Sequence, residues 1–270
     1  MGDRKKICLL LKHCGLGDHI QSLPVIALLV SRGYDVTIYT DEFMFPVYEK
    51  LPIEIIDIRE HYVGFMRTNA EVYGNIYSLE EWGVDLDRGF GFFENEINRV
   101  SLFASYFGLN RPSEFDWSIM LGVEKKESDY VVYAPQSAEK SRTLWHERGT
   151  YLELKKRFKN VVWLGTPESQ ERKLSPNFKD LANLIYNAKA VLCPDSGIMN
   201  LAMSLGVPTM ALFGSTNENV VCEPYQFYLP NAKRLVLRTY PKQHAEFYGD
   251  YTKGFIPSEV AEQFKQFIGE

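Results

Sequence analysis

The sequence predicts an α/β protein built from two Rossmann-like domains, each containing a parallel sheet. Short apolar runs of the kind found in buried parallel strands alternate with segments of helical apolar spacing, and this alternation begins twice. A polar stretch broken by Pro and Gly, residues 110–129, separates the two series. We therefore expect a first domain over 1–125, a second over 126–257, and a last helix within 258–270.

The first series alternates strand and helix. Its apolar runs predict strands at 6–12, 34–40 and 53–58. Helical spacing predicts helices from about residue 20 to Gly33, around 42–50 and over 94–108. Such alternation predicts right-handed crossovers and a sheet covered by helices on both faces.

The second series repeats this order. Strands are predicted at 130–135, 161–165, 189–193 and 209–214. Helices are predicted at 147–158, 178–188, 197–206 and 258–269. The last of these has a Ser at its start with a Glu close behind, which is typical of a capped helix N-terminus.

Composition limits the classes of function. Apolar residues make up 45% of the chain and charged residues 24%, with a net charge of −5. This balance is typical of a soluble globular protein and excludes a uniformly basic, nucleic-acid-coating surface. The four cysteines form no CxxC pair, which predicts reduced core thiols in a cytoplasmic protein. No apolar run is long enough to predict a signal peptide or an integral membrane segment.

Two turns that follow predicted strands carry unusual polar residues. In the first, Gly15-Leu16-Gly17-Asp18, the glycines would allow close approach of a ligand or a positive φ. Asp18 near a helix start could accept a proton from a hydroxyl nucleophile. The alternative is a purely structural role, in which Asp18 is an acid that stabilises the helix start and the glycines are ordinary turn residues.

The second turn is Pro194-Asp195-Ser196-Gly197. Asp195 or Ser196 can cap the next helix, whose free amides could bind a phosphate. Asn200 lies one turn after Ser196 on the same face. A merely capped helix is the alternative.

Two further loops open at the same predicted sheet edge. In 135–145, Ser137, Lys140 and Arg142 suit a pyrophosphate, because a cation there would neutralise charge on a leaving phosphate. The next loop carries Glu168 and Glu171 as weaker candidates for binding ribose hydroxyls. Both could equally be solvated loops.

The letters around Gly17-Asp18 and the long run D-S-G-x-x-x-L-A-x-x-L-G-x-P-T-x-A-L-F-G, from Asp195 to Gly214, resemble the heptosyltransferase family (glycosyltransferase family 9). The resemblance covers most of 7–50 and 130–225. It implies the GT-B fold, in which two Rossmann-like domains face each other across a cleft, and metal-independent, inverting transfer from a nucleotide sugar without a cofactor.

The resemblance also implies roles for individual residues. Asp18 matches the proposed base, Lys140 or nearby Arg142 the cation that holds the donor phosphates, and Asp195, Ser196 and Gly197 the donor turn. The last helix would cross back to the first domain. Two departures concern the donor: Asn200 stands where the family has His, and the Lys-x-Trp pattern before Trp145 is stretched.

Alternatives remain open at this point. A nicotinamide-dependent oxidoreductase would use G-x-G-x-x-G, but Ile20 replaces the third glycine. A metal-dependent GT-A enzyme would use Asp85-Leu86-Asp87. A nucleotide-sugar-binding protein or an epimerase would keep the fold without the transfer.

The acceptor is the least determined partner. Residues 60–93 are rich in Tyr, Phe and Trp, and their rings could stack on sugars or on bases. We expect either an envelope glycan or lipid-linked saccharide, or a modified base of bacteriophage DNA. The negative net charge disfavours the DNA base, because duplex binding depends on phosphate neutralisation.

Overall fold

The structure, a computed structural model, describes residues 6–11, 15–58, 76–78, 98–137, 142–165, 178–214, 218–238 and 254–270. Several candidates from the sequence lie outside these ranges: Lys140, most of the aromatic segment 60–93, the Asp85–Asp87 pattern, and Glu168 with Glu171.

The chain divides into two compact units. The first comprises Met1–Gly122 and Lys173–Lys179, and the second comprises Val123–Arg172 and Asp180–Glu270. The main division at Gly122 therefore falls within the polar stretch that suggested a boundary at 125.

The first unit contains a parallel four-stranded sheet of order β3-β2-β1-β4. Its strands are β1 (Lys6–Leu11), β2 (Asp35–Thr40), β3 (Glu54–Asp57) and β4 (Ile76–Ser78). The first three confirm the predicted strands, whereas β4 lies in a stretch whose irregular pattern predicted no element.

The helices of the first unit are α1 (Leu16–Ser31), a 3₁₀ helix (Glu42–Val47), α2 (Arg99–Tyr106) and α3 (Trp117–Met120). The sequence did not predict α3, because one helical turn has no measurable periodicity. Asp116 caps it by accepting hydrogen bonds from the Ser118 and Ile119 amides.

The second unit contains a parallel five-stranded sheet of order β6-β5-β7-β8-β9. Its strands are β5 (Val131–Tyr133), β6 (Val161–Trp163), β7 (Ala190–Pro194), β8 (Thr209–Phe213) and β9 (Arg234–Arg238). β7 and β8 are buried along their whole length, which explains their continuous apolar sequences.

The helices of the second unit are α4 (Glu147–Arg157), α5 (Phe178–Asn187), α6 (Gly197–Ser204), α7 (Glu218–Tyr228) and α8 (Pro257–Ile268). The sequence did not predict α7 or β9. A proline at position 224 inside α7 and arginines at both ends of β9 obscured their patterns.

The last helix packs within the second unit. α8 packs on α4 and buries Val260, Ala261, Phe264 and Phe267 in the core of the second unit. The ring of Phe264 meets that of Phe158 edge-on at a centroid distance of 5.6 Å. The apolar face of the helix is therefore covered within the second unit.

Three cysteines of the described ranges, Cys8, Cys193 and Cys222, are buried and free. Burial raises the pKa of the Cys222 thiol to about 12, and the negative charge of Asp195 adds to this shift. Among the described residues, no helix is long and apolar enough to cross a membrane. The same ranges contain no group of three or more His, Cys, Asp or Glu side chains placed to hold a metal ion.

Candidate functional site

Sheet topology indicates where each unit would bind a ligand. Open parallel sheets bind ligands beyond the carboxyl ends of strands whose connections leave in opposite directions. In the first sheet this strand is β1, which lies between β2 and β4 and leads into α1. In the second it is β5, which lies between β6 and β7. Asp18 follows β1, while Ser137 and Asp195 follow β5 and β7.

The Gly15–Asp18 segment is the start of a helix rather than a separate turn. α1 begins at Leu16, and Gly15 is its N-cap with φ −77°, so of the two possibilities offered by the sequence Gly15 does not adopt a positive φ. The Asp18 carboxylate accepts a hydrogen bond of 2.9 Å from the Gly15 amide through Oδ2. This bond satisfies a main-chain donor at the helix start. Gly17 lies in the first turn of α1.

Arg99, which sequence reasoning did not single out, forms an ion pair with Asp18. Its Nη1 donates to Asp18 Oδ1, so the two carboxylate oxygens have different partners. The Asp18 side chain is 29% exposed and that of Arg99 is 21% exposed. The carboxylate is thus held in place but remains accessible to solvent.

His19, the neighbour of Asp18, has a structural position. Its side chain is fully buried, and its Nδ1 lies 2.6 Å from the Tyr48 hydroxyl. Its Nε2 lies 3.4 Å from the Thr40 hydroxyl at the end of β2. These contacts fix the first turn of α1 to the sheet, and they support Asp18 without exposing the imidazole to a ligand.

In the second unit, the loops after β5 and β7 are joined directly. The buried Ser137 hydroxyl donates to the main-chain carbonyl of Asp195 over 3.2 Å. The Ser137 amide donates to the Thr143 hydroxyl over 3.1 Å. Ser137 therefore uses its hydroxyl to hold the two loops together.

Asp195 and Arg142 form the charged pair at this edge. Arg142 Nη1 lies 3.1 Å from Asp195 Oδ2, and the Asp195 side chain is 4% exposed whereas that of Arg142 is 45% exposed. The pair is an ion pair without a well-aligned hydrogen bond, since no residue of the described ranges forms a hydrogen bond with Oδ2. Arg142 can thus present part of its guanidinium to a bound anion.

The start of α6 provides main-chain donors. Ser196 is the N-cap, and its hydroxyl accepts from the Met199 amide over 3.3 Å. The amides of Gly197 and Ile198 precede the first possible intrahelical acceptor, as at every helix N-terminus. Both residues are partly exposed, and amides at a helix N-terminus are suited to bind a phosphate.

Asn200 is directed into the unit rather than toward solvent. Its Nδ2 donates to the Ser196 carbonyl over 2.9 Å, and its Oδ1 accepts from the Tyr225 hydroxyl over 2.7 Å. Asn200 is 5% exposed and Tyr225 is fully buried. These bonds anchor the first turn of α6, and a direct contact between Asn200 and a ligand stays a prediction.

Arg238 and Glu218 complete the charged edge, and sequence reasoning missed both. Arg238 ends β9, forms an ion pair with Glu218 at the start of α7, and donates to the Gly214 carbonyl over 3.3 Å. Burial lowers the pKa of the Arg238 guanidinium, while the charge of Asp195 opposes that shift. Recognition of RLVLR as a fifth strand would have placed Arg238 at the carboxyl edge.

Comparison with known proteins shows what this chain is similar to. The sequence model of glycosyltransferase family 9 (heptosyltransferase) matches residues 166–246. Among curated protein sequences, none matches this chain significantly.

Solved structures match almost the whole chain at low identity. The glycosyl transferase family 9 protein from Veillonella parvula DSM 2008 is 17% identical, with a TM-score of 0.62 over 98% of this chain and 97% of its own. E. coli ADP-heptose lps heptosyltransferase II is 16% identical, with a TM-score of 0.60 over 97% of this chain and 98% of its own. E. coli heptosyltransferase WaaC, solved with ADP, is 14% identical, with a TM-score of 0.58 over 97% of this chain and 99% of its own.

The chain has the fold of these glycosyltransferase structures. The family match and these structures confirm the resemblance read from the Asp195–Gly214 run, and the two parallel sheets confirm the α/β, GT-B class. Another protein of this fold, TibC from enterotoxigenic E. coli, is described as an iron-containing dodecameric glycosyltransferase (14% identity, TM-score 0.63, over 98% of this chain and 76% of its own).

Within this fold, Ile20 argues against the nicotinamide-dependent alternative. Ile20 stands where a dinucleotide-binding loop would have its third glycine, and its side chain is fully buried in the first unit. A glycine at that point would permit close packing of helix and strand over a pyrophosphate. The buried isoleucine occupies that space.

Proposed function

We propose that this protein is an inverting glycosyltransferase that moves a sugar from a nucleotide sugar to a hydroxyl group of a saccharide, without a metal ion. The observation that carries the proposal is the donor edge of the second unit. There the first amides of α6 and the Asp195–Arg142 pair follow β7, which neighbours the strand where the sheet topology favours a ligand, and the charge of Asp195 also acts on Arg238 at the end of β9.

The second unit would hold the diphosphate of the donor. The Gly197 and Ile198 amides would donate to phosphate oxygens, and the exposed part of the Arg142 guanidinium would pair with them. Lys140 would add a second cation. As the bond between the anomeric carbon and the phosphate breaks, negative charge grows on the leaving diphosphate, and these donors stabilise it.

The first unit would supply the base. Asp18 would accept the proton of the acceptor hydroxyl while that oxygen attacks the anomeric carbon from the side opposite the diphosphate. One displacement of this kind inverts the anomeric configuration. The products are the new glycoside, the free nucleoside diphosphate and a proton held on Asp18.

The nucleotide most favoured for a first test is ADP. WaaC was solved with ADP, and heptosyltransferase II is named for ADP-heptose. The heptosyltransferase relatives likewise favour a saccharide over a DNA base as acceptor. We place the reaction in the cytoplasm, because the buried free thiols of the described ranges suit a reducing compartment.

Binding is tested by thermal shift with ADP, GDP, UDP and their sugar conjugates, because a ligand that binds the folded state raises Tm by mass action. Transfer is then tested with the preferred donor and a panel of bacterial saccharides. Product anomers are assigned by NMR, and EDTA is added to one arm. Retention of configuration would contradict the mechanism, and loss of activity in EDTA would contradict metal independence.

Asp18→Asn separates binding from catalysis. We expect donor binding within twofold of wild type and kcat lower by about 10²- to 10⁴-fold. Asp35→Asn is the matched control, since Asp35 is an exposed acid at the amino end of β2. Equal turnover by Asp18→Asn and wild type would exclude Asp18 as the base.

A further inference from the structure

The pairing of Arg99 with Asp18 assigns a role that motif comparison does not reveal. Asp18 binds the Gly15 amide through Oδ2 and Arg99 through Oδ1, so the carboxylate cannot rotate without breaking a bond. A carboxylate has about four acceptor positions on its two oxygens. The two bonds leave acceptor positions free, and 29% of the side chain remains accessible.

The charge of Arg99 does not stabilise the helix to which it belongs. Arg99 is the first residue of α2, after the N-cap Asn98, whose side chain accepts from the Ser101 amide over 2.8 Å. A cation in the first turn is disfavoured by the positive end of the helix dipole. The ion pair with Asp18 accounts for a charge at this point, where an acid would stabilise α2 better.

The base of Arg99 is rigid. Val100 and Ala104 are fully buried and Phe103 is 3% exposed, so the start of α2 is fixed in the core. α1 and α2 pack against each other within the first unit. The guanidinium is therefore delivered to Asp18 from a fixed helix rather than from a surface loop.

We propose that Arg99 is a positioning residue for the transfer reaction, which orients the Asp18 carboxylate toward the acceptor hydroxyl. This inference rests on the proposed function. Fixing both oxygens directs the remaining lone pairs to one side, and proton transfer depends steeply on such alignment. Arg99 acts through Asp18 and contributes no proton of its own.

A double-mutant cycle tests the inference, with kcat and donor KM measured for wild type, Asp18→Asn, Arg99→Met and the double variant. We expect Arg99→Met to lower kcat by about 10- to 100-fold with donor KM within twofold. In the Asp18→Asn background the same change should lower kcat by less than twofold. Arg99→Lys should recover part of kcat, because it restores charge but not the planar fork.

Arg32→Met is the control, because Arg32 is an exposed arginine at the opposite end of α1. Equal losses from Arg99→Met in both backgrounds would show a purely structural role and overturn this inference alone. Should Arg99→Met fail to fold, the cycle is run with Arg99→Lys under the same criterion. Absence of transfer by the wild type, despite donor binding, would overturn the proposed function and this inference with it.

Discussion

The indole Nε1–H of Trp117 donates to the main-chain carbonyl of Ile20 over 3.0 Å, and both groups are buried. Pro24 explains why this bond exists. It lies inside α1, four residues after Ile20, and has no N–H to donate to that carbonyl. A side chain from α3 thus satisfies the acceptor that the helix leaves open.

Trp117→Phe should lower the free energy of unfolding by about 2–4 kcal/mol, through the unsatisfied carbonyl and the lost ring contacts. In a Pro24→Ala background residue 24 regains its N–H, so the same change should cost about 1 kcal/mol less. Urea unfolding of the four proteins measures the cycle. Strict additivity would contradict the compensation.

Tyr225→Phe tests the chain of bonds behind the donor turn. It removes the hydroxyl that binds Asn200 Oδ1, so we expect a loss of about 1–2 kcal/mol in stability and about three- to tenfold weaker binding of the preferred nucleotide. Tyr130→Phe is the matched control, because its hydroxyl donates to the Leu184 carbonyl over 2.8 Å. Calorimetric titration measures the affinities. Equal affinities of both variants would mean that Asn200 does not position the turn.

Gly165→Ala tests the support of the loop after β5. Gly165 has φ +80°, and an added Cβ would lie 2.9 Å from Oε1 of Gln136, the residue before Ser137. Gly33→Ala is the control, with φ +81° and no atom within 4 Å of its Cβ. We expect Gly33→Ala to lower the free energy of unfolding by about 1–2 kcal/mol through backbone strain alone. Gly165→Ala should lower it further and should also weaken nucleotide binding. Similar effects of the two changes in thermal unfolding would contradict this reasoning.

The raised pKa of the buried Cys222 thiol predicts that the protein loses stability at alkaline pH. Its pKa is about 12 in the folded protein against 9.0 ordinarily, so between these values the unfolded chain loses a proton that the folded chain keeps. Stability from this thiol is complete below pH 9 and falls above it by about 1.4 kcal/mol for each pH unit.

Cys222→Ala should therefore reduce the drop in unfolding free energy between pH 8 and pH 10 by about 1.4 kcal/mol. Val221→Ala, a neighbouring buried truncation without a titrating group, should leave the drop unchanged. Urea unfolding at the two pH values gives both numbers. An unchanged drop for Cys222→Ala would show that the thiol does not control it.

Local patterns in the sequence determined the α/β class, most of the strands and the start of the donor helix. Apolar runs such as Ala190–Pro194 must be buried on both faces, and Ser196 caps the next helix through atoms three residues apart. Such features depend on neighbours along the chain. The Asp195–Gly214 run was long enough to indicate the family for the same reason.

Only the tertiary structure decided which side chains meet. Arg99 contacts Asp18 from 81 positions along the chain, Tyr225 binds Asn200 in the interior, and α8 packs on α4. No spacing rule relates these partners, because strand order and helix packing set their distances. The sequence shows the chemical type of each residue. The orientation of its side chain depends on contacts that form only in the folded protein.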